Sequence, residues 1–265
     1  MASKKAPRRQ EAGDEPHAVV TRGGGVLTVT LNRPDRKNAI SIRMIGELKA
    51  AIEEADLAAD AKVLVIRGAG EDFCAGLDLK ELLASADLAP EENERRAWDL
   101  GEVFVKLRQL PKPTVAVVQG RALAGGCGLA TACDLVLARA GAQFGYPEIN
   151  RGFVPAMVMT MLRRLVSEKI AFDLAATGRV IGAAEAERIG LVSRVLPARS
   201  FARDVEAALA TLASLSGSAL ALTKQQFYQL DGLSFVDGIR LGARVNAVSR
   251  ATPDFRSAIA AFLKK

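Results

Sequence analysis

The chain has 265 residues, enough for one large domain or one domain with an appendage, and 49% hydrophobic with 25% charged residues is the balance of a globular protein. A net charge of +6 suits anionic ligands, but with aromatics at only 5% there is no basic, base-stacking stripe, so nucleic acid is not an expected partner. One histidine, His17, and three cysteines without CxxC or CxxH spacing argue against a His-based triad, a zinc site and a disulfide framework.

Residues 1–17 read as a disordered tail. Met1 to Glu15 are polar and lack the apolar stretch of a secretory signal, and no run approaches a membrane span. A cytoplasmic protein without a membrane partner is therefore expected. Residues 18–21 and 26–31 read as two strands of a hairpin around Gly23, Gly24 and Gly25. From Ser41, the spacing of Met44, Ile45, Leu48, Ile52 and Ala55 predicts a helix. Residues 63–67 form a continuous apolar strand that runs into Gly68-Ala69-Gly70. Residues 82–97, polar and rich in alanine, predict no definite element. Leu100, Val103, Phe104, Leu107 and Leu110 then mark a helix face stopped by Pro111 and Pro113.

Residues 114–118 are a buried strand, followed by the small-residue turn Ala124-Gly125-Gly126 and an Ala- and Leu-rich helix, then a strand at 135–139. Repeated strand, helix, strand order implies crossovers and a largely parallel core. Past Val154 the pattern is almost wholly helical: residues 167–177, 183–189, 201–215, 220–230, 235–250 and 254–262, with one short strand at 192–195. Thr252-Pro253 reads as an N-cap with proline in the first turn.

No G-x-x-x-x-G-K-[ST] segment occurs, nor a G-x-G-x-x-G after a strand, so nucleotide hydrolysis and NAD chemistry have no support. What remains is carboxylate acid/base chemistry assisted by backbone N–H groups. Cys74 and Cys127 lie inside small-residue turns and read as packing residues rather than nucleophiles. A glycine turn between a strand and a helix leaves N–H groups unpaired at the positive end of the helix dipole, where phosphate or a developing oxyanion can sit.

Three segments carry a family resemblance: Phe73 to Glu81 (Phe-Cys-Ala-Gly-Leu-Asp-Leu-Lys-Glu), Gly120 to Ala130, and Phe144 to Ile149 followed by Gly152. In this order and spacing they resemble the crotonase, or enoyl-CoA hydratase/isomerase, family from about Ala18 to the C-terminus. The second segment departs from the family pattern at Ala124 and Gly128. The resemblance implies an α/β fold, a crotonase-like spiral of ββα units over residues 18–200, with a C-terminal helical trimerisation region at 201–265. It also implies a homotrimer or a hexamer built as a dimer of trimers.

By the same resemblance, the N–H groups of Leu77 and Gly125 hold the thioester oxygen, and Glu148 handles the C2 proton. Lys37, Ala39, Leu77, Asp78, Leu79, Lys80 and Gly125 are the positions matching those that bind acyl-CoA. Coenzyme A enters as part of the substrate, and no metal or separate cofactor is implied. The family's hydratases use a second glutamate, and its place here is Gly128, which cannot transfer a proton. The resemblance therefore leaves two activities open. One is water addition to a 2-enoyl-CoA, as in family members with glycine at this position. The other is double-bond isomerisation through one glutamate. An RNA-binding or inactive acyl-CoA-binding member is the remaining alternative. A glutamate restored at Gly128 is expected to raise hydration if the pocket can hold it.

Overall fold

The computed structural model describes residues 15–264, so residues 1–14 of the expected tail lie outside the described residues. β1 (Ala18–Gly23) and β2 (Val26–Leu31) form the expected hairpin around Gly24 and Gly25. α1 (Ile42–Leu57) starts at Ser41, whose hydroxyl accepts from the Met44 N–H, and buries the five apolar residues that predicted it. β3 (Val63–Gly68), α2 (Leu79–Ala84) and α3 (Pro90–Gln109) follow. Then come β4 (Thr114–Val118), β5 (Arg121–Leu123), α4 (Gly125–Ala132), β6 (Leu135–Arg139), β7 (Gln143–Gly145) and a 3-10 turn, Pro147–Arg151. α5 (Val158–Leu165), α6 (Glu168–Thr177), β8 (Val180–Gly182), α7 (Ala183–Arg188) and β9 (Arg194–Leu196) lead into four closing helices. These are α8 (Phe201–Ser214), α9 (Gly217–Gln229), α10 (Phe235–Ala251) and α11 (Pro253–Phe262).

Six strands form the main sheet in the order β1-β2-β3-β4-β6-β9, parallel throughout except for the hairpin. A second sheet, β5-β7-β8, stands beside it. Parallel bridges Ile40 to Leu77 and Cys74 to Ala122 extend this second layer toward the N-terminus. Successive crossovers thus put one long strand in the main sheet and one short extended piece in the second layer, which is the spiral that the resemblance implies. β3 and β4 are buried on both faces, which is why they read as unbroken apolar runs. One face packs against α1, α3 and α4. On the other, Val63, Val65, Val115, Val117 and Leu137 pack against Val205 and its neighbours on α8.

Residues 82–97 differ most from the sequence reading. α3 already begins at Pro90, with Glu91 and Glu92 in its first turn, but its first half faces solvent and shows no apolar stripe. β5, β7 and β8 are three residues each, too short for an alternation to register, and β9 is shifted from the expected 192–195.

α9 is fastened to the spiral by a buried cation. Lys224 Nζ donates to Asp134 Oδ2 (2.7 Å), to Leu107 O (2.7 Å) and to Lys112 O (3.0 Å). The Tyr228 hydroxyl donates to Asp134 Oδ1 at 2.6 Å, and the Thr114 N–H and hydroxyl donate to Oδ2. α10 and α11 bury no residue in the single chain, and Phe235, Ile239 and Phe262 are 84%, 62% and 74% exposed. No single helix among the described residues is long and apolar enough to cross a membrane.

Candidate active site

Two glycine turns meet where the second sheet leads into α4. In the first, the Ile40 N–H donates to Gly76 O (2.8 Å) and the Asp78 N–H donates to Ile40 O (2.9 Å). This parallel bridge uses the groups that flank Leu77 and leaves the N–H of Leu77 itself on the opposite side. In the second, the Ala124 N–H donates to Gly145 O (2.8 Å), the Gly128 N–H donates to Ala124 O (3.0 Å), and α4 begins with no side-chain cap. Among the described residues neither the Leu77 N–H nor the Gly125 N–H has a hydrogen-bond partner.

The turns are nested by lack of side chains. A Cβ on Gly126 would stand 2.3 Å from Cys74 O, so only glycine lets α4 start against the first turn. A Cβ on Gly76, which has φ +102°, would stand 3.5 Å from Gly125 N, and one on Gly125 would stand 3.9 Å from Leu77 Cγ. The two free N–H groups therefore border one spot. Ala124, between them, is held at φ 51° and ψ −129°, a conformation that belongs to glycine. Farther back, Arg121 donates from its backbone and guanidinium to Asp72 at 2.7–3.0 Å, and that guanidinium holds the Asp72 carboxyl below its ordinary range.

Glu148 stands in the 3-10 turn after β7, started by Pro147 and stopped by Gly152 in the left-handed region. It is 8% exposed, and its Oε2 is buried without a partner. Burial pushes its carboxyl above the ordinary value, against the opposing pull of its own backbone N–H and of Arg151. Beside it Tyr146 is fully buried, and burial again raises its pKa. Burial pushes the thiols of Cys74, Cys127 and Cys133 up to about 12, in keeping with packing rather than nucleophilic roles.

At Gly128 the structure bears on the condition attached to restoring a glutamate, that the pocket can hold it. A Cβ there would stand 2.3 Å from Val158 Cγ1 and 3.4 Å from Phe104 Cζ, so the space for a side chain is already filled. Sequence reading missed Val158. The available signal was a glycine inside an otherwise sound helix, which marks a close approach without saying by what.

The remaining positions gather along one edge. Lys37 is exposed at φ 52°, and its carbonyl accepts from the Ala75 N–H at 3.0 Å. The Ala39 carbonyl accepts from Arg33 Nη1 at 2.7 Å. Leu79 and Lys80 are exposed at the start of α2. The Asp78 side chain is already engaged: it caps α2 through the Lys80 N–H and pairs with Arg33 at 2.9 Å. Burial raises its carboxyl, but Arg33 and the cap outweigh that and hold it low. His17 is likewise occupied, its Nδ1 lying 2.6 Å from Ser41 Oγ. Two open clefts elsewhere on the surface, around Gly23–Val26 and around Gly68–Gly70, are lined by neither Leu77, Gly125 nor Glu148.

The sequence profile of the enoyl-CoA hydratase/isomerase family matches residues 21–265. A Thermus thermophilus protein, named provisionally as an enoyl-CoA hydratase, is 40% identical over 91% of this chain and 96% of its own length. The 2,3-dehydroadipyl-CoA hydratase of Escherichia coli is 34% identical over 93% of this chain and 95% of its own. Among solved structures, an enoyl-CoA hydratase from Mycobacterium smegmatis superposes with a TM-score of 0.90 at 31% identity, covering 94% of this chain and 97% of that one.

Proposed function

The chain belongs to the enoyl-CoA hydratase/isomerase family, and we propose that it adds water to a 2-enoyl-CoA thioester, or removes it in reverse, with Glu148 as the single acid/base side chain. The observation that carries this reading is a buried carboxylate with a free oxygen, in the same fold as two unpartnered N–H groups that border one spot. The thioester oxygen sits between the Leu77 and Gly125 N–H groups. As a water oxygen bonds to C3, Glu148 takes the proton that water gives up, and the C2–C3 π electrons move onto the thioester oxygen as an enolate. The enolate then collapses and takes that proton from Glu148 at C2. Atoms balance with one carboxylate. The raised pKa brings Glu148 closer to neutrality, where it accepts and returns a proton most effectively. One oxyanion donor in comparable sites is worth about 3 kcal/mol.

Coenzyme A runs along Lys37, Ala39 and the Leu77–Lys80 segment in this proposal, with backbone groups and the two lysines as its contacts, because Asp78 is held by Arg33. A second reading, isomerisation of a 3-enoyl to a 2-enoyl thioester, is favoured by one observation. Val158 covers Gly128, the place of the second hydratase glutamate, and leaves Glu148 to shuttle a proton between C2 and C4. A panel of 2-enoyl and 3-enoyl thioesters separates the two. Hydration of the 2-enoyl compounds at rates above isomerisation of the 3-enoyl ones supports the first, and the reverse order supports the second. The apolar faces of α10 and α11 support a homo-oligomer in which they cover a neighbouring subunit, as a trimer or a pair of trimers.

A further inference from the structure

We infer that Asp72 and Arg121 are a positioning pair: their ion pair locks the first glycine turn against β5 and so sets the separation of the Leu77 and Gly125 N–H groups. This rests on the acyl-CoA reading of the site and adds to it two side chains that act through the backbone donors.

Each residue lies a short way upstream of one donor, Asp72 of Leu77 and Arg121 of Gly125. The Asp72 side chain is 8% exposed, and among the described residues all its hydrogen bonds come from Arg121. Oδ1 accepts from the Arg121 backbone N–H at 3.0 Å and from Nε at 2.8 Å, and Oδ2 accepts from Nη2 at 2.7 Å. A planar fork on a carboxylate fixes direction as well as distance, which a single lysine nitrogen does not. Gly120 makes the approach possible. It has φ +57°, and a Cβ on it would stand 2.1 Å from Glu71 O and 2.8 Å from Asp72 Oδ1.

Just beyond the ion pair the same two segments are joined by backbone. The Cys74 N–H donates to Arg121 O and the Leu123 N–H donates to Cys74 O, both at 2.9 Å. This is one parallel bridge, Cys74 to Ala122, on a strand of three residues. So short a ladder has little of its own to hold register, and the fork at its entry supplies the lock. Past the bridge no flexible side chain intervenes. A Cβ on Gly126 would stand 2.3 Å from Cys74 O, and one on Gly76 would stand 3.5 Å from Gly125 N. A shift between Asp72 and Arg121 therefore passes along backbone to both donors. On the far side Asn38 Nδ2 donates to Ala69 O and Asp72 O, both at 2.8 Å, and Gln119 Nε2 donates to Gly68 O at 2.7 Å. These amides brace the loop that carries Asp72, so a change at its carboxylate is felt on the β5 side. Misplacing a catalytic group by about 1 Å costs up to about 100-fold in rate.

The test uses the full chain, Asp72→Asn and Arg121→Lys. Arg121 is 38% exposed at its side chain, so the asparagine variant leaves a cation that water still reaches. The lysine variant keeps the charge and loses the fork. The first reading is kinetics on 2-butenoyl- or 3-butenoyl-CoA, whichever the wild type turns over. The second is the ultraviolet titration of bound acetoacetyl-CoA, which can be enolised but not hydrated. Its enolate carries the charge that the two donors meet, so the pH at which it forms reads their strength without turnover. Each variant should lower kcat and kcat/KM together by about tenfold, leaving KM in place. Each should also raise the midpoint of enolate formation by about one pH unit, the same factor. Wild-type kcat in both variants, or a midpoint unmoved while urea stability falls, overturns the inference alone. Failure of both variants to fold does so too, since the pair would then serve the fold. A wild type that turns over no 2-enoyl or 3-enoyl thioester and does not bind acetoacetyl-CoA overturns the acyl-CoA reading and the inference with it.

Discussion

Replacing Glu148 by glutamine keeps the shape of the side chain and removes its charge, and the structure sets opposite signs for what this does to turnover and to stability. Glu148 is 8% exposed with Oε2 unpartnered, so the folded chain disfavours the carboxylate and raises its pKa above that of the unfolded chain, about 4.3. Between those two values the folded state binds more protons than the unfolded one. Stability therefore falls as pH rises through that window, by about 1.4 kcal/mol for each unit by which the pKa values differ. The contribution is complete below the unfolded pKa and is gone above the folded one. Glutamine has no charge to desolvate, so Glu148→Gln should unfold in urea at pH 7 no earlier than the wild type and should lack Glu148's share of the pH slope. Turnover should do the reverse. Loss of the only acid/base group should lower kcat by about 100-fold or more, or about 2.7 kcal/mol, followed by the ultraviolet absorbance of the conjugated thioester. Wild-type kcat/KM should show an acid limb above the ordinary carboxylate range, because the carboxylate is the form that accepts the proton. A variant that turns over at the wild-type rate would refute the assignment. A variant less stable by more than about 2 kcal/mol at neutral pH would refute the account of burial, since a desolvated charge would then not be what the fold pays for.

Three further outcomes are expected. Lys224→Met should lower the urea-derived stability by about 3 kcal/mol, because Asp134 loses its buried cation and two carbonyls lose their donor, while the Thr114 and Tyr228 bonds remain; a loss under 1 kcal/mol would show the pair to be dispensable. Ala124→Gly should stabilise the chain by about 1 kcal/mol in the same assay, since φ 51° with ψ −129° strains alanine, and a destabilised variant would contradict that. Light scattering should give more than one subunit at micromolar concentration, and Phe235→Ser with Ile239→Ser should reduce the mass to a monomer with unchanged circular dichroism, because both side chains are exposed in the single chain; a monomeric wild type would refute the subunit role of α10.

What could be read in the sequence was whatever recurs with a period or sits at a turn. α1 showed itself through five apolar residues at helical spacing, and β3 and β4 through apolar runs that only a strand buried on both faces requires. α11 was given away by Thr252 and Pro253. The second sheet was invisible, because β5, β7 and β8 have three residues each and are held by pairing between distant segments rather than by local preference. Glu148 could be proposed from its motif, but the 3-10 turn after β7 that buries it could not. The filling of Gly128 by Val158 was hidden too: a close approach is a property of two segments, and sequence shows only the one that lacks a side chain.

In the proposed reaction the second sheet is also what would hold the two backbone donors in place. The position of the Leu77 N–H is fixed by the Ile40 bridge on one side of its strand segment, and that of Gly125 by the Gly145 carbonyl, which holds Ala124 in its strained conformation. Neither fixture uses the side chain at position 77, so that side chain is free to vary without moving the donor. The positions that cannot vary are those where a Cβ would separate the two turns. At Gly126 it would meet the Cys74 carbonyl at 2.3 Å, and a backbone oxygen cannot rotate out of the way as a flexible side chain can. Tolerance at Leu77 and intolerance at Gly126 are therefore two sides of one construction. The second sheet sets where the N–H groups point, and the glycines set how closely the two turns approach.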